Sequence, residues 1–255
     1  MRSNARMGII QPKKAKQKVM KYAIIAAGDG SRLAEEGLKC PKPLVEVDGE
    51  CLVDRLIRIF MEHDAESIAI ICNDKWPQVG AHLRKMQEKQ LPLQIVEKRT
   101  PSSMHSLHVL HSFIGDGPFC LTTVDTVFRE KEFAEYVDVF QQFVTQDGCD
   151  ALMGVTDFVD DEKPLYVEVD DDMNITAFLD SSSNVKYVSG GIYGMIPVVW
   201  PILDECVRRG ERRMRNFQRA LIANGLRIKA FKFSKVLDVD HVADVDLANQ
   251  FVKEP

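Results

Sequence analysis

No apolar run in the 255-residue chain approaches the roughly 18 residues that a membrane-spanning helix needs. No Cys-x-x-C pair occurs among the six cysteines, at positions 40, 51, 72, 120, 149 and 206. The first absence argues against a membrane partner. The second removes the commonest zinc and thiol–disulfide motifs, and a chain of this length can bury a core without a disulfide framework, so a reducing cytoplasm is the expected location. Acidic residues are missing altogether from residues 1–28, which carry Arg2, Arg6, Lys13, Lys14, Lys16, Lys18 and Lys21. The apolar stretch Gly8-Ile9-Ile10 is far shorter than the roughly 7 to 15 residues of a secretory signal core, and sparse serine with more lysine than arginine argues against a transit peptide. Residues 1–20 are therefore expected to be a basic extension, and residues 21–255 one domain.

A broad positive field is also lacking: 33 Lys+Arg against 38 Asp+Glu give a net charge of -5, which disfavours nucleic acid as a partner. Hydrophobic residues at 45% and charged residues at 28% are the profile of a globular protein. No internal repeat or low-complexity tract divides the chain.

The apolar pattern gives the fold class. Tyr22 to Ala27 is a short continuous block ended by Gly28, as in a strand buried on both faces, and Ser67 to Cys72 is a second. Leu52, Leu56, Ile59 and Phe60 recur at helical spacing between them. Helices near 76–90, 103–113 and 133–144 alternate with strands at 93–96, 119–124 and 151–155. Such alternation predicts a single Rossmann-like α/β domain with a mostly parallel sheet and helices on both faces. Three strand-like runs at 166–169, 175–178 and 187–195 have no helix between them and predict an antiparallel excursion. Helices near 199–207 and 211–223, a strand at 228–233 and a helix from about 242 complete the chain.

Gly28-Asp29-Gly30-Ser31-Arg32-Leu33 follows the first strand directly. Glycines there let backbone N–H groups approach a phosphate closely. A dinucleotide fingerprint would place a third glycine where Leu33 stands, and a P-loop would close with Gly-Lys-Ser/Thr, so neither fits. Arg32 supplies a forked cation suited to phosphate oxygens.

With Pro41-Lys42-Pro43-Leu44 at its spacing from Ala26-Ala27-Gly28-Asp29-Gly30-Ser31-Arg32-Leu33, the chain resembles the sugar-phosphate nucleotidyltransferases, or nucleotide-sugar pyrophosphorylases. The resemblance runs from residue 22 to 252, through Val124-Asp125, Gly190-Gly191-Ile192-Tyr193 and Asp238-Val239-Asp240. It implies a fold of the GT-A type and transfer of an NMP group from an NTP to a sugar-1-phosphate, with release of pyrophosphate. It implies catalytic roles for Arg32 and Lys42, nucleotide contacts from Ala27, Gly28, Asp29, Gly30, Ser31 and Ser103, and Mg²⁺ on Asp125 and Asp240. Gly190 and Gly191 are its sugar-side candidates. Where many members carry Glu-Lys-Pro this chain has Leu179-Asp180-Ser181, and Lys186 is the nearest candidate for a second substrate-phosphate lysine.

The residues suit that chemistry. A phosphate monoester nucleophile is already ionised at neutral pH, so no general base is required, whereas cations are needed to draw two polyanions together. Oxygen-only ligation by two aspartates suits a hard ion such as Mg²⁺. One alternative shares the machinery, cytidylyl transfer to phosphocholine or another non-sugar phosphate; a second class is a GT-A glycosyltransferase, which typically shows Asp-x-Asp where Val124-Asp125-Thr126 has one aspartate and does not carry the Pro-Lys-Pro lysine. Structural readings stand beside these. Asp125 can cap a turn, Asp240 the last helix, and Gly190-Gly191 can mark a strand bulge. His105, His108 and His111 are expected not to bind metal, and Arg208, Arg212, Arg215 and Arg219 form one helical stripe only if Gly210 does not break the helix.

Overall fold

Side chains of the opening strand alternate between two buried layers, because successive residues of an extended chain point to opposite faces. In β1 (Met20–Ala26), Tyr22, Ile24 and Ala26 enter one layer, while Ala23 and Ile25 enter the other. The computed structural model describes residues 20–146, 148–159, 162–182 and 184–254. The basic extension expected over residues 1–20 lies outside the described residues except for Met20, which already belongs to β1.

After β1 the chain forms the short helix α1 (Ser31–Glu35), a 3₁₀ turn at Lys42–Leu44, and the strands β2 (Glu46–Val47) and β3 (Glu50–Cys51). Next come α2 (Leu52–Glu62), β4 (Ala65–Cys72), α3 (Pro77–Gln87), β5 (Leu93–Glu97), α4 (Ser103–Ile114) and β6 (Phe119–Thr123). They are followed by β7 (Thr126–Phe128), α5 (Glu130–Gln146), β8 (Ala151–Thr156), β9 (Tyr166–Val169), β10 (Ile175–Leu179) and β11 (Tyr187–Met195). The last elements are α6 (Trp200–Arg208), α7 (Met214–Ala223), β12 (Ile228–Phe233), β13 (Val236–Asp238) and α8 (Val242–Phe251).

Strands β6, β1, β4 and β5 are neighbours and parallel. β11 runs antiparallel to β6 and to β8, and β12 pairs parallel with β8. Only β11 is therefore reversed within this central run, and β9 and β10 extend it as the expected antiparallel excursion. Helices α2, α3, α5 and α8 cover one face and α4, α6 and α7 the other. On the first face Tyr22 stacks on Phe60 with ring centroids 4.3 Å apart; on the second Phe119 stacks on Trp200 at 4.7 Å. These large buried rings contribute on the order of 2 to 3 kcal/mol each by removal from water. No helix among the described residues is long and apolar enough to cross a membrane.

Gly210 does break the helix: with φ 77° it ends α6, and α7 starts afresh at Met214. The arginine stripe is accordingly divided, Arg208 lying on α6 and Arg215 and Arg219 on α7. A left-handed φ costs a non-glycine residue about 1 to 2 kcal/mol, which explains glycine at this corner.

Candidate active site

The parallel strands β1, β4, β5 and β6 all end at one edge of the sheet, and the chain leaving β1, β5 and β6 lines a single cleft there. Binding outside the carboxyl ends of the strands is the rule for open α/β sheets. The cleft measures about 450 Å³ and is lined by the glycine loop, Lys42, Thr100 to Ser103, Ser106, Asp125 and Asp240. Ala27, Gly28, Asp29, Gly30, Ser31 and Arg32 all lie on its wall. Gly30 has φ 59°, and a side chain at Gly28 would meet nothing within 4 Å, so the loop presents open backbone to the cleft.

Lys42 is the hub. Its Nζ donates to Asp125 Oδ2 at 2.7 Å and also to Asp240 Oδ1, and Arg32 Nη1 donates to Asp240 Oδ2 at 2.6 Å. The Lys42 side chain is 11% exposed. Burial works against its charge, but the two carboxylates outweigh it and hold the ammonium above its ordinary value. Burial likewise opposes ionisation of Asp125, yet the Lys42 ammonium keeps its carboxyl below the usual range. Lys42 is therefore a fixed cation at neutral pH and cannot act as a base.

A two-stranded ribbon joins the aspartates. β7 begins one residue after Asp125, β13 ends two residues before Asp240, and the strands pair antiparallel from Thr126↔Asp238 to Phe128↔Val236. Val239 N–H donates to the Asp125 carbonyl at 3.0 Å, so the register delivers both carboxylates to one place. Asp240 is not the cap of the last helix: His241 holds the N-cap position, and Asp244 accepts from the N–H groups of Asp240 and His241 at 2.9 and 2.6 Å. Two carboxylates already sharing one cation form an oxygen-only donor set that fits a hard divalent ion, its remaining positions left for phosphate and water. No group of three or more His, Cys, Asp or Glu side chains arranged for a metal occurs among the described residues.

Ser103 opens α4 and lines the cleft, while the preceding Ser102 is the N-cap. The three histidines meet different partners: His105 Nδ1 meets Ser102 Oγ at 2.9 Å, His108 pairs with Asp204 at 3.2 Å, and His111 stacks on Trp200. Gly190 and Gly191 line separate recesses beside the cleft. The register of β11 against β8 shifts here, and Gly191 has φ 71° with the Thr126 hydroxyl 2.8 Å from where a Cβ would sit. Both glycines thus occupy a bulge that packs against the ribbon, Gly190 facing Val236 of β13 and Gly191 facing Thr126 of β7. Lys186 is not brought to the centre; it is 63% exposed, 3.9 Å from Asp157, and lines none of these recesses.

Asn73 was not among the residues the sequence singled out. It is 2% exposed, and its Nδ2 donates to the Ala27 carbonyl at 3.1 Å and to Asp29 Oδ1 at 3.0 Å, fastening the glycine loop to the end of β4. A polar residue directly after the buried run ending at Cys72 was the only signal for it.

The profile of the MobA-like NTP transferase domain matches residues 22–178. The chain is 26% identical over 243 residues to UTP–glucose-1-phosphate uridylyltransferase AglF of Haloferax volcanii, spanning 92% of this chain and 97% of that protein. It is 28% identical over 111 residues to N-acetylmuramate alpha-1-phosphate uridylyltransferase of Caulobacter vibrioides, and the match spans 46% of that protein's length. Over 56 residues it is 36% identical to glucose-1-phosphate cytidylyltransferase of Salmonella typhimurium, covering 22% of that protein. Among solved structures it superposes with TM-score 0.79 on a putative glucose-1-phosphate thymidylyltransferase from Bacillus anthracis at 20% identity, covering 93% of this chain and 96% of that one. The inositol-1-phosphate CTP transferase from T. maritima gives TM-score 0.76, also at 20% identity, over 93% and 98% of the two chains. These superpositions bear out the Rossmann-like fold expected from the sequence, and with a matched profile over most of its length the chain belongs to the MobA-like NTP transferase family.

Proposed function

We propose that the protein is a nucleotidyltransferase that moves an NMP group from an NTP to a sugar-1-phosphate. The observation that carries this reading is one permanently charged lysine tying two aspartates together beside an open glycine loop. The relatives' names, uridylyl- and cytidylyltransferases of sugar-1-phosphates, support the same class.

In this reading the glycine-loop backbone and Arg32 hold the β- and γ-phosphates. The acceptor's phosphate oxygen attacks the α-phosphorus, forming one P–O bond. The bond from the α-phosphorus to the oxygen bridging to the β-phosphorus breaks, and its electron pair leaves with pyrophosphate. No proton need be removed, which agrees with a site whose central group is held protonated. Lys42 places fixed positive charge at the reacting phosphoryl, the kind of stabilisation that preorganised cations supply in phosphoryl transfer. Asp125 and Asp240 would hold Mg²⁺, which when bound supplies further charge neutralisation to the phosphates.

Pyrophosphate release, measured for four NTPs against a series of sugar-1-phosphates and phosphocholine with and without Mg²⁺, tests the proposal. Mg²⁺-dependent release with a sugar-1-phosphate is expected. Transfer of sugar from a nucleotide-sugar, with no pyrophosphate formed from any NTP, would assign the glycosyltransferase class instead.

A further inference from the structure

A second groove of about 460 Å³ opens from the cleft on the side away from the glycine loop. It shares Ser102, Ser103, Thr123 and Asp125 with the cleft but includes neither the glycine loop nor Arg32. Its far wall is the start of α7, with Arg212, Arg213 and Arg215, and through Lys163, Arg213 and Arg215 it continues into a wide outer recess of about 780 Å³.

The charges on this wall are unusual for their place. The N-terminus of a helix is the positive pole of its dipole and normally attracts acids. α7 has no acid in its first turn and no side-chain cap; its N-cap is Arg213 itself. Arg215 and Arg219 are neutralised by Asp180, and Arg215 is tied further to the Lys163 carbonyl at 3.0 Å. Arg212 and Arg213 are exposed, and their side chains make no hydrogen bond or ion pair among the described residues. A second observation stands apart from the helix end: Gln218, 1% exposed, lines the same groove, and its amide nitrogen has no hydrogen-bond partner. A buried donor left unpaired is costly, so its presence on a binding groove points to a ligand acceptor atom.

Direction decides which substrate enters here. In-line displacement requires the nucleophile and the leaving group on opposite sides of the α-phosphorus. Pyrophosphate leaves toward the glycine loop, so the acceptor arrives from the arginine groove. We propose that the acceptor carries, besides the phosphate that attacks, a second anionic group, a carboxylate or a phosphate, held by Arg212 and Arg213. The inference rests on the nucleotidyltransferase reading and names the acceptor class within it.

The test compares three acceptors that share a hexose 1-phosphate: glucose 1-phosphate, glucuronic acid 1-phosphate and glucose 1,6-bisphosphate. Pyrophosphate release with each NTP is expected to give at least tenfold higher kcat/KM for one of the two acidic acceptors, and which of them wins identifies the anion. In the Arg212→Gln/Arg213→Gln double variant that advantage should fall below about threefold, with Arg213→Lys intermediate because it keeps charge but loses the fork. A wild-type enzyme that uses glucose 1-phosphate as well as the acidic acceptors, or an advantage that survives in the double variant, overturns the proposal and leaves the nucleotidyltransferase reading standing. If no acceptor releases pyrophosphate, the broader reading fails. Calorimetric titration then decides the groove alone: tighter binding of an acidic acceptor than of glucose 1-phosphate, lost in the double variant, supports it, and equal binding overturns it.

Discussion

Lys42 Nζ lies 2.7 Å from Asp125 Oδ2, across 83 residues of sequence, and this contact joins the turn after the glycine loop to the end of the central strand β6. The lysine is supported by carboxylates that the reaction itself would use. Replacing it with alanine should lower kcat by about 10² to 10³, or roughly 3 to 4 kcal/mol, the usual effect of deleting one preorganised donor. The fold should persist, since no core side chain is removed. Near-normal turnover in a folded Lys42→Ala protein would refute the role.

The ribbon of β7 and β13 makes a prediction about coupling. Asp125→Asn and Asp240→Asn each keep side-chain size while removing charge, and each should lower both rate and Mg²⁺ affinity. Because both would act through one ion, the double variant should be little worse than the worse single variant. Independent, additive losses at saturating Mg²⁺ would assign the ion to Asp125 alone.

The alternation of apolar blocks was enough to place β1, β4, β5, β6, β8 and their helices; β1, β4, β6 and β8 are largely buried on both faces and so nearly continuously apolar, while β5 ends the sheet with only Leu93 buried. The glycine loop and Pro41-Lys42-Pro43 were legible for a different reason, since close backbone approach leaves a mark in residue type. The ribbon that joins the aspartates was not. Each of its strands has only three residues, Thr126–Phe128 and Val236–Asp238, too few for any period to show, and 107 residues lie between Phe128 and Val236. Asn73 was hidden similarly, since its work is a pair of long-range hydrogen bonds, and nothing local distinguishes it from a turn asparagine. The division of the arginine stripe turned on Gly210, whose left-handed φ is a tertiary outcome.

Asn73 fixes the glycine loop without lining the cleft. Asn73→Ala removes the donor to the Ala27 carbonyl and should destabilise the protein by about 1 to 3 kcal/mol. The loosened loop should raise KM for the nucleotide by roughly tenfold, equivalent to about 1.4 kcal/mol, with a smaller change in kcat. Thermal unfolding and nucleotide saturation curves on the same preparation check both effects. An unchanged KM would confine Asn73 to stability.

The two glycines of the bulge should respond differently to alanine. At Gly191 a Cβ would sit 2.8 Å from Thr126 Oγ1 and 3.2 Å from Thr123 Oγ1, on a backbone with φ 71°. Gly190 lacks the positive φ, and its nearest neighbour would be Val236 Cγ2 at 3.2 Å. Gly191→Ala is expected to cost about 2 to 4 kcal/mol from strain and overpacking together, and Gly190→Ala about 1 kcal/mol. Equal unfolding midpoints for the two variants would show that the bulge relaxes freely.

A pH-sensitive clasp joins α1, the helix that carries Arg32, to the start of α8. His241 Nδ1 is 2.5 Å from Glu36 Oε1, and the Val242 N–H donates to Glu36 Oε2 at 2.7 Å. The hydrogen bond to Glu36 raises the His241 imidazole above its ordinary value of 6.5, and the same contact, with the Val242 N–H, lowers Glu36 below its ordinary 4.5. A raised histidine contributes stability that is fully present below the unfolded value and lost as pH rises through the folded one. A lowered glutamate contributes above its unfolded value and loses that contribution as pH falls through the folded one. The clasp is therefore complete between the lowered Glu36 value and the raised His241 value. His241→Gln keeps a polar side chain but cannot carry the charge, so the difference in Tm between wild type and His241→Gln should be largest between the ordinary glutamate and histidine values of 4.5 and 6.5 and shrink as pH rises through the raised His241 value. Both groups are exposed, so added salt should narrow the difference further. A Tm difference independent of pH across that range would show that His241 acts only through packing at the start of α8.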